Sequence, residues 1–118
     1  TGSEWILGYY TKYGDGAADF LPIASIYKTQ VRSVARALRI GFIASKPSSP
    51  GFWPGHLASQ ELPASYQDLD PILLGIEKGW GDEEIARDTG IDIDVVRRTR
   101  EMVERNSHKR GPPIILYP

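Results

Sequence analysis

The sequence predicts an α/β chain that is mostly helical, with one or two strands. Three observations predict it. Residues 20–26 form a short, apolar, partly β-branched run, as a buried strand does, and a polar Gly-Asp loop leads into it. Behind that run, Tyr27, Val31, Val34 or Ala35, and Leu38 recur at i, i+4, i+7 and i+11, which is one buried helix face. A loop, a strand and a helix in that order is where open α/β sheets place ligand chemistry. From Tyr66 onward the spacing and the capping residues are helical throughout, so strands are confined to the first half.

Composition narrows the class. The 118 residues suit one small domain with a modest core. The net charge of −1 gives no general basic field for nucleic acid or a membrane surface. Cysteine is absent, which excludes disulfides and thiolate metal sites. No signal-like segment and no apolar run of membrane-spanning length is present, so the chain reads as soluble and cytoplasmic.

The elements follow in order. Trp5, Ile6, Tyr9 and Tyr10 sit at helical spacing, so residues 3–10 read as a helix capped by Ser3. Glu4 falls in its first turn, where a carboxylate suits the helix dipole without further function. Thr11-Lys12-Tyr13-Gly14-Asp15-Gly16-Ala17-Ala18-Asp19 packs a Lys, two Asp and two Gly into nine residues. It is either a solvated turn or backbone that turns sharply beside a ligand. Ser25 is placed to cap the helix that begins near Ile26. Arg32, Arg36 and Arg39 lie off its apolar stripe, as a solvated face does. Lys28 lies in the first turn, where the dipole prefers anions, and a nearby phosphate would explain it.

Residues 41–44 read as a short last strand. Residues 46–56 hold three Pro and two Gly, a loop of restricted backbone. Its Phe52 and Trp53 either fold back onto the core or cover a planar ligand, and core packing is the expectation adopted. Ser65 opens a turn, and Asp70-Pro71 caps and starts a helix ended by Gly79-Trp80-Gly81. Asp82 caps a helix over 83–88 closed by Gly90, and Asp92 or Asp94 caps the last one, with Val95, Val96, Thr99, Met102 and Val103 inward. His108, Lys109 and Arg110 neutralise its C-terminus, and the apolar residues 114–117 are expected to dock on the body or on a second subunit.

Four pieces, TKYGDGAADFLPI, YKTQVR, KPSSPGFWPG and ERNSHKRGPP, stand in one order and at fixed separations. Together they resemble the C-terminal half of ammonia-dependent NAD synthetase, over nearly the whole chain. The resemblance implies the C-terminal part of a Rossmann-like parallel-sheet nucleotide-binding domain of the N-type ATP pyrophosphatase family, here over residues 1–118. That family's pyrophosphate-gripping Ser-Gly-Gly-x-Asp-Ser loop is absent, so the chain reads as a fragment, inactive alone, whose small piece of sheet exposes an apolar edge and needs a partner.

The implied activity is ATP-dependent amidation of deamido-NAD to NAD through an adenylated intermediate, with ammonia, Mg2+ and ATP as co-substrate. Glu4 matches the magnesium-binding Glu, eight residues before Lys12. Lys28 and Ser49 match ATP contacts. Lys12, Asp19, His108 and Lys109 match contacts to deamido-NAD, and Asp15 the residue that binds ammonia. The family's Thr before the magnesium Glu has no counterpart at Thr1, which stands too close to Glu4. Where the family has Gln and acidic lid residues, this chain has His56 and Leu57-Ala58-Ser59-Gln60, and no lid contact is carried over. The family is homodimeric, which implies the same here.

Two rival readings come from other classes. Glu84 to Ile91 followed by Val95-Val96-Arg97-Arg98 has the outline of a helix-turn-helix DNA-binding module, with Gly90 at the turn. Asp92 and Asp94 would then face phosphates, which is unfavourable, so a packing motif is favoured over nucleic-acid binding. The altered lid leaves room for a non-catalytic relative that only binds a partner.

Overall fold

The computed structural model describes residues 1–113, 115 and 116. Among them the chain is helical: α1 (Gly2–Leu7), α2 (Lys28–Ala37), α3 (Gly41–Ala44), α4 (Tyr66–Glu77), α5 (Asp82–Thr89) and α6 (Ile93–Arg105), with 3-10 turns at Ala58–Gln60 and Ser107–Arg110.

α4 is the centre of the fold. Its Leu69 and Leu73 pack with Leu7, Ala58, Leu62, Tyr66 and Val103, while Ile72 turns to Ile85 and Val96. One helix therefore serves two apolar clusters, and its sequence is apolar on more than one side for that reason. Gly75 allows α5 to come close: a Cβ there would stand 2.6 Å from Ile85 Cγ1. Gly90 closes α5 in the left-handed conformation, and the Asp92 carboxylate accepts from the Asp94 N–H at 2.8 Å to start α6.

The expected strands are not formed. Residues 22–25 are turns, with Ala24 N–H donating to Leu21 O and Ile26 N–H to Ile23 O. Residues 41–44 close into one helical turn, with Ser45 N–H on Gly41 O. A strand is stable only beside a partner strand, and the described residues supply none. The expectation of a mostly helical piece holds, and what is corrected is its one or two strands, which do not form among the described residues.

The expected apolar sheet edge is replaced by exposed helix surface. Val34, Leu38, Phe42 and Ile43 on α2 and α3 are each at least half exposed, so the stripe of α2 lacks the cover that its periodicity anticipates. The radius of gyration, 15.4 Å, exceeds the roughly 13.5 Å of a compact chain of this length, as that uncovered arm requires. Ile114 and Tyr117 of the apolar tail lie outside the described residues; Ile115 and Leu116 are exposed rather than docked on the body.

Two helix starts also differ. α4 begins at Tyr66 with Ser65 as cap residue, and Ser65 Oγ donates to Asp68 Oδ2 at 2.9 Å. Pro71 falls inside the helix instead of opening it. Its missing N–H frees the carbonyl of Gln67, an exposed residue where water can satisfy it. α1 begins at Gly2 behind Thr1, so Ser3 lies within the helix, buried.

Candidate functional site

A cleft of about 740 Å³ opens between α1, the start of α2, the loop at 48–52 and α6. Glu4, Asp15, Lys28, Ser49 and Lys109 line it together, with Tyr9, Glu61 and Tyr66. Residues up to 105 positions apart thus meet on one surface. Lys12, Asp19 and His108 are not on that surface.

Glu4 and Lys28 face each other across it, Lys28 Nζ donating to Glu4 Oε1 at 2.9 Å. The nitrogen and the hydroxyl of Thr1 both donate to Glu4 Oε2, each at 2.9 Å. Burial works to raise the Glu4 pKa, but the hydrogen bond and the charge of the Lys28 ammonium oppose it, and the carboxyl lies below its ordinary value. Lys28 also lies 5.5 Å from the centre of the Tyr66 ring. Burial, and then the Glu4 carboxylate, push the Tyr66 phenol well above its ordinary range, so it stays a neutral donor. The first-turn position of Lys28 is therefore balanced by two carboxylates within the protein, Glu4 at its side chain and Asp70 at the helix end.

Ser25 does not cap α2. Tyr27 occupies the cap position, and the orphan N–H groups are taken up through space. Lys28 N–H donates to Ser3 Oγ at 2.7 Å, Thr29 N–H to Asp70 Oδ2 at 2.8 Å, and Ser3 Oγ to Asp70 Oδ1 at 2.6 Å.

The Gly-Asp loop is a run of turns, with Gly14 and Gly16 N–H both donating to Thr11 O. The close approach that Gly16 permits is to the chain itself. A Cβ there would stand 2.5 Å from Lys12 O and 2.8 Å from the Tyr10 ring. Asp15 is exposed at the cleft edge; Asp19 is exposed outside it.

Lys12 donates to His108 O at 2.6 Å, and Lys109 to Gly8 O at 2.6 Å and Tyr10 O at 3.0 Å. Arg110 donates to Ile6 O at 2.5 Å. Lys109 and Arg110 thus cap the carbonyl end of α1, besides following the end of α6 as the sequence predicts, while Lys12 ties the Gly-Asp loop to the 3-10 turn at Ser107–Arg110.

The loop at 46–56 turns back on His56 rather than on the core. Trp53 stacks on the His56 ring, centroids 3.6 Å apart and 11° from parallel, while Phe52 and Trp53 stay more than half exposed. This corrects the expected core packing. Ser49 Oγ donates to His56 O and accepts from Gly51 N–H at 3.0 Å, which holds the loop closed beside the cleft. His56 is buried, with Nε2 3.2 Å from Glu61 Oε1 but not aligned as a hydrogen bond. Glu61 also accepts from Tyr9 O–H at 2.5 Å, and that bond, foremost, lowers its pKa.

Tyr9, Glu61, Tyr66, Ser3 and Asp70 were missed as site residues. Only Tyr66 and Asp70 share an element, α4, so no single stretch of sequence marks the group. On α6, Asp92 and Asp94 stand exposed at the N-terminal end, as the argument against a groove-reading helix requires. No helix among the described residues is long and apolar enough to cross a membrane.

Comparison with known proteins bears on the family. A family model described as NAD synthase matches residues 1–113. The NH(3)-dependent NAD(+) synthetase of Hyperthermus butylicus is 50% identical over 113 residues, covering 94% of this chain and 41% of the relative. That of Saccharolobus solfataricus is 45% identical over 116 residues, covering 97% and 42%. The chain thus spans about two-fifths of the length of these curated relatives. The solved structure of NMN synthetase from Francisella tularensis superposes with a TM-score of 0.76 at 29% identity, over 98% of this chain and 44% of that one.

Proposed function

The chain belongs to the NAD synthase family, and from that premise we propose that it is the C-terminal portion of a single synthetase domain that amidates deamido-NAD to NAD, using ATP and ammonia. The observation that carries the reading is the cleft that gathers Glu4, Asp15, Lys28, Ser49 and Lys109 from five parts of the chain. In the complete domain, the uncovered apolar side of α2 and α3 would pack on a Rossmann-like parallel sheet contributed by the rest of the fold. A homodimer, and a cytoplasmic location, belong to the same reading.

The chemistry demands two steps. A carboxylate is a poor electrophile, so the nicotinate oxygen first attacks the α-phosphorus of ATP; the bond to pyrophosphate breaks and an acyl adenylate forms. Ammonia then attacks the acyl carbon, the bond to AMP breaks, and the nitrogen sheds a proton. Lys28 and Ser49 serve the ATP side, where an ammonium offsets phosphate charge as it shifts toward the leaving group. Asp15 accepts hydrogen bonds from the entering ammonia and takes its proton. Lys109 serves the dinucleotide from the cleft, and Lys12, Asp19 and His108, which lie outside it, serve the part of that substrate that extends beyond the cleft.

Glu4 fits a magnesium ion held mainly by phosphate oxygens. Its carboxyl is ionised far below neutral pH and lies on the cleft wall, and the described residues form no group of three or more ligands that would cage a metal. When bound, the ion would neutralise phosphate charge. The Glu4–Lys28 pair keeps both charges in place before ligands arrive, one complementary to the metal and the other to phosphate.

The test joins this chain to the upstream half of the Hyperthermus butylicus relative and follows NAD formation from deamido-NAD, ATP and ammonium. With Asp15→Asn, capture of the acyl adenylate by ammonia should slow by about 100-fold while adenylation stays nearly unchanged. Equal loss in both steps would remove Asp15 from the ammonia site.

A further inference from the structure

The geometry points to Asp70 as the positioning residue of the nucleotide site: from α4 it locks α1 against α2, so that Glu4 and Lys28 meet across the cleft. This rests on the reading that Lys28 and Glu4 serve ATP.

Asp70 is 4% exposed. A carboxylate so far from water is tolerated only where its lone pairs are taken up, and here each oxygen has one partner. Oδ1 accepts from Ser3 Oγ on α1 at 2.6 Å, and Oδ2 from Thr29 N–H on α2 at 2.8 Å. Ser3 Oγ in turn accepts from Lys28 N–H at 2.7 Å. The cap of α2 is thereby supplied 41 residues away in sequence, while its own cap position holds Tyr27, which makes no side-chain cap bond. If the helix needed only a cap, a Ser or Asp at position 27 would serve.

The through-space arrangement adds what a local cap cannot. Both of its contacts adjoin the site: Ser3 precedes Glu4, and Thr29 follows Lys28. The Lys28 backbone is tied to Ser3 and its ammonium to Glu4. The register between the two cleft-bearing helices is therefore fixed twice, and Asp70 holds the buried member of the pair.

The experiment uses the same joined domain with Asp70→Ala, Lys28→Ala and the double variant. Asp70→Ala should raise KM for ATP at least about tenfold, the scale of a displaced binding group, with KM for ammonium unchanged. The double variant should lose no more kcat/KM for ATP than Lys28→Ala alone, because the two act through one contact. Asp70→Asn should recover most of the loss, since its amide can accept from Thr29 and donate to Ser3. Hydrogen exchange should quicken at the Lys28 and Thr29 amides in Asp70→Ala.

Additive losses, an unchanged KM for ATP in Asp70→Ala, or unchanged exchange at both amides would each overturn the positioning role alone. Lys28→Ala with normal ATP kinetics would instead overturn the ATP-side reading, and the positioning role with it. Should Asp70→Ala fail to fold, Ser3→Ala breaks the same bridge and is judged by the same criteria.

Discussion

Replacing Glu4 by Gln keeps the volume and removes the charge, so it isolates what the carboxylate contributes. In this 118-residue polypeptide, where a free Thr1 amine adds to the Lys28 ammonium, its pKa falls from an ordinary 4.5 to about 2, despite burial that opposes the fall. At about 1.4 kcal/mol for each pH unit, that is about 3 kcal/mol of differential stabilisation. The side chain remains 27% exposed, and solvent screening reduces the figure to about 1–2 kcal/mol. Because the folded value lies below the unfolded one, this stability is present in full above about pH 4.5 and is lost as the pH falls through about 2. Urea unfolding followed by tryptophan fluorescence can read it, since Trp5 adjoins Glu4 and stacks on Tyr10 with centroids 5.1 Å apart. Wild type should exceed Glu4→Gln by about 1–2 kcal/mol at pH 6.5, and the gap should close toward pH 2.5. A gap that is the same at both pH values, or a more stable Glu4→Gln, would refute the assignment of the stabilisation to the ionised carboxylate.

Two further outcomes test the packing. Gly75→Ala gains about 1 kcal/mol of helix propensity but forces a Cβ to 2.6 Å from the wholly buried Ile85; overpacking at about 1–3 kcal/mol should win, and the urea midpoint should fall. Arg39 ends α2 with φ at 60°, a left-handed conformation without glycine. Arg39→Gly should raise stability by about 0.5–1 kcal/mol, net of the entropy glycine adds to the unfolded chain, again read from the urea midpoint.

The second half of the fold was legible because independent local signals agree there. Gly90 and Asp92 mark the turn between α5 and α6 to the residue, and Val96, Thr99 and Val103 are buried at the spacing the sequence announced. The first half was not, because its apolar runs answer to partners outside them. Residues 20–26 have a strand's composition, but composition confers no partner strand, and Ile26 O accepts instead from Gly2 N–H at 2.8 Å. At α4 the signal itself was ambiguous. An Asp-Pro pair normally opens a helix, yet Ser65, five residues earlier, takes the cap position in extended backbone and its hydroxyl holds Asp68.

The site divides in the same way. Glu4, Asp15, Lys28 and Ser49 were named through motifs whose order survives in the chain, and they do share a cleft. By sequence position Asp70 suits the start of the helix it sits in. It is a cap for another helix, and the residue that makes this possible, Ser3, likewise suits a cap of its own helix by sequence position. Both residues have the right chemistry assigned to the wrong N–H groups. Local pattern identifies which side chains can accept from a helix end; only the packing of α4 between α1 and α2 decides which end they reach. It is also what converts two ordinary capping residues into supports for Glu4 and Lys28.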